Sequence, residues 1–400
     1  MIKIHTLGLW CVFLLFFACG SSPSSGNPDQ DTINAAQAAL NRMDGGSNTS
    51  SQQSGPAQNS PSTQNTVVNT SRSKPAWVDS PNSVYSRAQY VAVTGHANDR
   101  TMAERDSLAK LVGFFGQSIH AEQTSVDTYQ EAVRSGVVTG WSTDSTMQNT
   151  IRISASMDTL LGAEIREVWQ DSKTSIYYAV AVMEKAAAAR LYTEVIKANQ
   201  NMIENLVTMS SAEKNSLDGF SRYQFAAAIA NINISYGNVL RQLDAAPPAG
   251  LEVGETYRRE MRNIAQAIPI GVRVTNDRNG KVQGAFTKAF TDMGFGSRSG
   301  GTGRYVLDVN VAVSEAVFPN NPNKFARWEI DARLTDNGVT ILPFNASGRE
   351  GRATLPEAEN FAYMAAERMI NTGDPRANPP VSSYANLLKD YLARLVPEKR

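Results

Sequence analysis

The chain has 400 residues, a formal net charge of zero and 42% hydrophobic residues. That balance leaves no basic footprint for nucleic acid and no polybasic patch for anionic headgroups, since both need clustered cations. The length suits two modest domains plus a tail.

At the amino terminus Lys3 supplies a positive start, and the apolar run from Leu7 through Phe17 then stops at Cys19-Gly20-Ser21-Ser22. A spanning helix needs roughly 20 apolar residues to cross the hydrocarbon core, so this shorter run reads as an export signal, residues 1–18. Phe16-Phe17-Ala18-Cys19 resembles the lipobox of bacterial lipoproteins, with Phe16 where Leu is usual and with Ala18 and Cys19 at the two positions that matter most. The resemblance implies that the Cys19 thiol receives diacylglycerol and that the signal is cut before it. Cys11 lies inside the signal, so Cys19 would be the single thiol of the mature chain, with nothing left for a disulfide. Each buried methylene of a lipid chain adds about 0.8 kcal/mol, so two or three chains give firm anchoring to a membrane.

From residue 19 to 74 the sequence is dominated by Ser, Asn, Gln, Pro, Gly and Thr. Such a stretch cannot bury enough apolar surface to offset its ordering entropy and is expected to act as a disordered tether. For roughly 55 flexible residues the root-mean-square reach is about 40 Å.

Ordered structure is expected from Pro75-Ala76-Trp77-Val78, with Tyr90 to Gly95 a buried strand closed by glycine. Leu108, Leu111, Val112, Phe115 and Ile119 recur at helical spacing, with Glu104, Arg105, Asp106 and Lys110 on the wet side. Ile151 to Met157 alternates as a half-exposed strand. Ile165 to Trp169, a turn at Asp171-Ser172-Lys173, and Ser175 to Met183 form a hairpin. A helix then carries Leu191, Val195, Ala198, Met202 and Leu206 along one side.

Pro75, Trp77, Gly95, Ala103, Glu104, Ala109, Gly162-Ala163-Glu164-Ile165, Trp169 and Tyr177-Tyr178-Ala179-Val180 together resemble the membrane-associated LPP-twenty lipoproteins, over Pro75 to about Ala189. That resemblance implies an envelope location and an α+β domain, residues 75–190, and carries no catalytic residues with it.

A second helical stretch, Ala212 to about Asp244, keeps Phe225, Ile229, Ile232, Tyr236, Val239 and Leu243 on one face. With the helix before it, this makes a helical hairpin over residues 191–250, ended by Ala245-Ala246-Pro247-Pro248-Ala249-Gly250.

The carboxy-terminal part, residues 251–400, opens with a helix near Glu255 to Gln266 and a buried strand from Ile268 to Val274. A helix with Val282, Phe286, Ala289 and Met293 inside closes at Gly294. Strands follow with Tyr305, Leu307, Val309, Val311 and Val313 inward, then Trp328, Ile330, Ala332 and Leu334. Asp336-Asn337-Gly338 marks a hairpin into Val339 to Phe344. Pro356 fits a first helical turn; Phe361, Ala362, Ala365 and Met369 are expected inside, and Tyr384, Leu388, Leu392 and Leu395 line a last helix. This element order, with Ile268-Pro269-Ile270-Gly271-Val272 and Gly294-Phe295, resembles the α/β domain shared by the curli-secretion lipoprotein, the amino-terminal part of TolB and flagellar assembly protein T. It implies a role in envelope assembly. The expected fold class is therefore α+β: two small sheet-plus-helix domains joined by a helical hairpin, after a disordered lipoprotein tether.

Beyond the signal only His96 and His120 remain, without a cysteine cluster or paired acids at metal spacing. Gly294 to Arg304 is rich in glycine but lacks the Gly-Lys-Ser/Thr ending of a phosphate loop and runs from helix to strand, so it reads as a mobile loop. Anion binding through Arg298, Arg304 and glycine amides is the functional alternative there. Gly-x-Ser-x-Gly is absent. The expectation is a protein that is not an enzyme and needs no cofactor or metal. Its site residue is Cys19 for lipid attachment, and its partners are the membrane, an envelope protein or cell-wall polymer, and a second copy in a homo-oligomer. Gly20 after the cysteine, rather than Asp, points towards the outer membrane, facing the periplasm.

Overall fold

In the first sheet, β4 (Tyr177–Glu184) lies between β3 (Ala163–Gln170) and β2 (Tyr90–Ala97), both antiparallel to it. Its run Ala179 to Met183 is buried without a break, because both faces are covered. Ala181 and Met183 face a helical core with Leu111, Phe115, Val195 and Ile229, whereas Val180 and Val182 pack on Trp77 and Trp169. The computed structural model describes residues 68–69, 73–116, 123–134, 160–278, 280–377 and 380–395, all within one compact unit, residues 58–400. The expected strand at Ile151 to Met157, and Ile119, lie outside the described residues.

Two local findings differ from the sequence reading. Val68–Asn69, within the stretch expected to be unstructured, is a two-residue strand, β1, pairing parallel with β3 at Val168 and Trp169. And β2 continues two residues past Gly95, which does not end the strand. It stands where helix α2 (Arg100–Phe115) crosses: a Cβ there would fall 2.2 Å from the Ser107 amide nitrogen and 2.7 Å from the Ala103 carbonyl oxygen. The glycine thus allows close helix-on-sheet approach. Asp99 starts α2 by accepting a hydrogen bond from the Met102 amide.

Helix α1 (Ala76–Asp79) brings the Trp77 ring under the sheet. Helix α3 (Gln123–Arg134) and the hairpin pair, α4 (Lys185–Val207) and α6 (Leu217–Gln242), build the rest of the first core. The single helix expected from Ala212 is broken: α5 (Ser211–Lys214), started by a Ser210–Glu213 capping box, ends before Ser216 caps α6. In α4 the inner face centres on Tyr192, Ile196, Asn199 and Ile203 beside the expected Val195, Met202 and Leu206. Within it the Tyr129 hydroxyl donates to Asn199 Oδ1 at 3.0 Å, and Asn199 Nδ2 donates to Asn233 Oδ1 at 2.8 Å. This buried polar chain fixes the helices' register, since any slip would strand its members.

Helix α7 (Gly254–Ala267) leads into the second sheet, whose strand order is β6-β5-β7-β8-β9. Here β5 (Pro269–Thr275) lies parallel to β6 (Gly296–Ser299) and β7 (Tyr305–Ala316), while β8 (Lys324–Asp336) and β9 (Val339–Arg352) continue antiparallel. Asn337 and Gly338 both have positive φ, 49° and 84°, as the two-residue turn between β8 and β9 requires. Helices α8 (Lys281–Thr291), α9 (Leu355–Thr372) and α10 (Tyr384–Arg394) contribute Phe286, Phe290, Ala362, Tyr384 and Leu388 to one core with Leu307, Trp328 and Ile330. Leu217 and Phe220 of α6 belong to this second core, although its buried residues from Phe225 to Leu240 serve the first.

Three expectations are corrected in this part. Gly294 to Arg304 is not simply a mobile loop: Gly296–Ser299 is an edge strand in parallel register with Pro269 to Val272. Phe361 is not on the inner stripe of α9 but 37% exposed, because the helix turns Ala358, Ala362, Ala365 and Ala366 to the sheet. The strand expected to stop at Phe344 runs on to Arg352. The architecture is α+β, with two sheet-and-helix halves joined through a helical hairpin.

Candidate functional site

Cys19 and His120 lie outside the described residues. Among the described residues no group of three or more His, Cys, Asp or Glu is placed to hold a metal, and no helix is long and apolar enough to cross a membrane. His96 sits within β2 and is exposed, its ring stacked on Tyr178 with centroids 5.9 Å apart.

The structure separates the two arginines of the glycine-rich segment. Arg304 is engaged: its Nε and a terminal nitrogen donate to both Asp336 carboxylate oxygens at 2.8 and 2.9 Å, and its guanidinium lies 4.9 Å from the Tyr305 ring centroid. The Asp336 carboxylate raises the Arg304 pKa further above its ordinary value, outweighing the desolvation that lowers it. A fork satisfied in this way is committed to bridging β7 and β8 and is not poised for an anion. Arg298, in β6, is exposed.

One polar constellation escaped the sequence reading. Trp77 Nε1 donates to Glu167 Oε2 at 3.0 Å, and the Tyr85 hydroxyl donates to Glu167 Oε1 at 2.6 Å. The register of β3 shifts between Ile165 and Glu167, and such a bulge re-aims the next side chain. Burial, then the hydrogen bond to Glu167, raises the Tyr85 pKa, so the phenol stays protonated as a donor. Thr94 Oγ1 also donates to the Trp77 carbonyl at 3.0 Å. Each group has its partner, so this is a structural clasp that ties α1 to the sheet.

The surfaces open to a partner lie in the carboxy-terminal half. One face of the second sheet is covered by helices; the other exposes Asn310, Arg327, Glu329, Arg333, Asn345 and Arg349. A groove of about 510 Å³ involves Asn310, Glu329, Asp331, Asn345, Met369 and Val381. A second, about 420 Å³, runs between β9 and α9 and is lined by Glu350, Arg352, Phe361, Met364, Glu367 and Arg368. The Arg352 guanidinium lies 3.6 Å from the Phe361 ring centroid, a cation–π contact at the groove's mouth. The spacing Phe361, Met364, Arg368 (i, i+3, i+7) is a helical stripe of its own and could have signalled this outward face. These grooves can bind by shape and hydrogen bonding, since they mix apolar floor with paired charges.

No known family profile and no curated protein matches the chain. Among solved structures, a secreted protein of Helicobacter pylori is 13% identical, covering 70% of this chain and 97% of its own, with a TM-score of 0.36. A minor lipoprotein of Acinetobacter baumannii is 12% identical, covering 33% of this chain and 96% of its own, with a TM-score of 0.23. Likenesses this slight carry no argument about what the chain does.

Proposed function

We propose that the chain is a lipid-anchored cell-envelope protein of the LPP-twenty type that works as a non-catalytic binding or assembly module. The observation that carries this reading is the sequence Phe16-Phe17-Ala18-Cys19-Gly20 at the end of a short apolar run. Lipid on Cys19 holds the molecule at the outer membrane, facing the periplasm, and the stretch from residue 19 to 74 gives the folded part its reach. The working surface is the open polar face of the second sheet with its adjoining grooves, which suits an envelope protein or cell-wall polymer. Mass spectrometry of the mature amino terminus tests the anchor. A diacylglyceryl thioether on Cys19 is the expected result, and an unmodified thiol or an uncut signal refutes it. Purified protein that turns over peptide, ester or glycan substrates would refute the non-catalytic part. A second reading, an oligomeric component of an envelope secretion or flagellar-associated complex, is favoured by the outer edge of β9, which pairs with no other strand among the described residues.

A further inference from the structure

Strand β9 is 14 residues long and, among the described residues, stands at the end of its sheet and pairs only with β8. A long free edge offers a row of unpaired amides and carbonyls, which natural proteins cover, charge or break. Pro343 lies opposite Arg333 and has no amide hydrogen to give β8, so its position belongs to the set that faces outward. By the two-residue repeat of a strand, Asn345, Ser347 and Arg349 share that outward set, while the Gly351 carbonyl is taken by Arg352 Nη1 at 2.6 Å. The edge beyond Pro343 is therefore open for pairing.

Directly beside this edge lies the 420 Å³ groove, where Met364 is 43% and Phe361 37% exposed, large apolar side chains on an otherwise polar surface. Strand addition needs these two parts together: a free main-chain edge for affinity and an apolar groove beside it for specificity. The rim carries Glu350 and Glu367 against Arg352 and Arg368, two charges of each sign. Such a rim has no net charge and gives a strongly charged partner of either sign no net attraction. Glu350 and Arg352 already pair within the chain at 3.6 Å, whereas Glu367 and Arg368 are adjacent opposite charges that a two-fold axis can set against those of a second copy.

We propose that a second copy of this chain occupies the site. The β9 strands of two molecules pair antiparallel about a two-fold axis near Ser347, joining two five-stranded sheets into one and burying Phe361 and Met364 of both α9 helices at the centre. This inference stands on the edge, the groove and the rim, and does not depend on the lipid anchor.

Light scattering of the full chain in detergent, with detergent mass subtracted, tests it. The expected result is twice the chain mass. Met364→Glu places a charge in the centre of the interface and Ser347→Pro removes an outward amide; both positions are exposed, so circular dichroism should be unchanged. Each should raise the dimer dissociation constant by at least about tenfold, the scale of a central contact. Arg368→Glu should weaken the dimer by unbalancing the rim, and Glu367→Arg/Arg368→Glu should restore it. A wild-type chain that stays at single-chain mass overturns the proposal, as does an oligomer that Met364→Glu and Ser347→Pro leave intact while folded. If Ser347→Pro unfolds the sheet, Met364→Glu and the charge-reversal pair decide alone.

Discussion

Tyr384 offers a direct test of the second core. Its side chain is fully buried, its hydroxyl has no hydrogen-bond partner among the described residues, and burial raises its pKa. The ring itself is well placed, edge-on to Phe286 at 4.8 Å, Phe344 at 5.6 Å and Phe290 at 5.8 Å between centroids. Tyr384→Phe keeps these contacts and removes only the stranded hydroxyl. Leaving such a group unsatisfied costs about 1–3 kcal/mol, while the small void left by one oxygen returns part of that. The net expectation is stabilisation by about 1 kcal/mol. Tyr384→Ala, which deletes the ring, should instead cost about 3–5 kcal/mol. Urea unfolding followed by near-ultraviolet circular dichroism measures both from the shift in midpoint at constant slope. A loss of about 1 kcal/mol or more in the phenylalanine variant would refute the reasoning, because it would mean that the hydroxyl has a partner in solution.

Gly95→Ala should destabilise the first sheet by about 1–3 kcal/mol, the range for overpacking, since the new methyl would meet the Ser107 backbone at 2.2 Å; urea unfolding reads this directly. Glu167→Gln keeps the shape but weakens the clasp on Trp77 and Tyr85, with an expected loss of about 1–2 kcal/mol and a change in tryptophan emission. Alkaline titration should show the buried phenols: burial pushes Tyr192 up to about 12, against 10 when free. The folded state binds the proton more tightly, so stability holds below pH 10 and is lost as pH rises towards 12. Tyr192→Phe should flatten that loss, at the cost of the 3.2 Å hydrogen bond that its hydroxyl accepts from the Leu161 amide.

Where a residue's environment is set by its own strand, the sequence was readable. Trp328, Ile330, Ala332 and Leu334 alternate and are all buried, and Asp336-Asn337-Gly338 turns the chain where turn chemistry says it must. What failed depends on neighbours distant in sequence. Gly296–Ser299 has the composition of a loop and becomes a strand because β5 offers it an edge. Gly95 looks like a strand end until α2 is seen to lie on it. Helical spacing puts Phe361 on one stripe with Ala362, Ala365 and Met369, yet α9 lies close to the sheet through its alanines, and close approach favours the smaller side chains. The β9–α9 groove was hidden by that same error, since its floor is the face that Phe361 shares with Met364. The clasp on Glu167 depends on a bulge, which leaves no periodic mark in a single sequence.

Helix α6 decides how the two halves can be separated. Phe225, Ile229, Ile232, Tyr236 and Val239 pack in the first core, while Leu217 and Phe220, two turns earlier, pack in the second. The second half holds that end by more than apolar contact: the Leu217 amide donates to the Tyr305 hydroxyl at 3.2 Å, and the Ser221 hydroxyl donates to the Leu392 carbonyl. The Pro247-Pro248 segment looks like the natural place to cut. A fragment starting there would lose Leu217 and Phe220, and Phe295, whose ring lies 4.7 Å from that of Phe220, would lose its aromatic neighbour. Losing two such buried side chains forfeits roughly 3–6 kcal/mol of transfer free energy, a large part of what a domain of this size has. A fragment that begins before Ser210 keeps the capped start of α6 but exposes the rest of its buried faces. The helix therefore belongs to both cores, and a cut on either side of it leaves one of them incomplete.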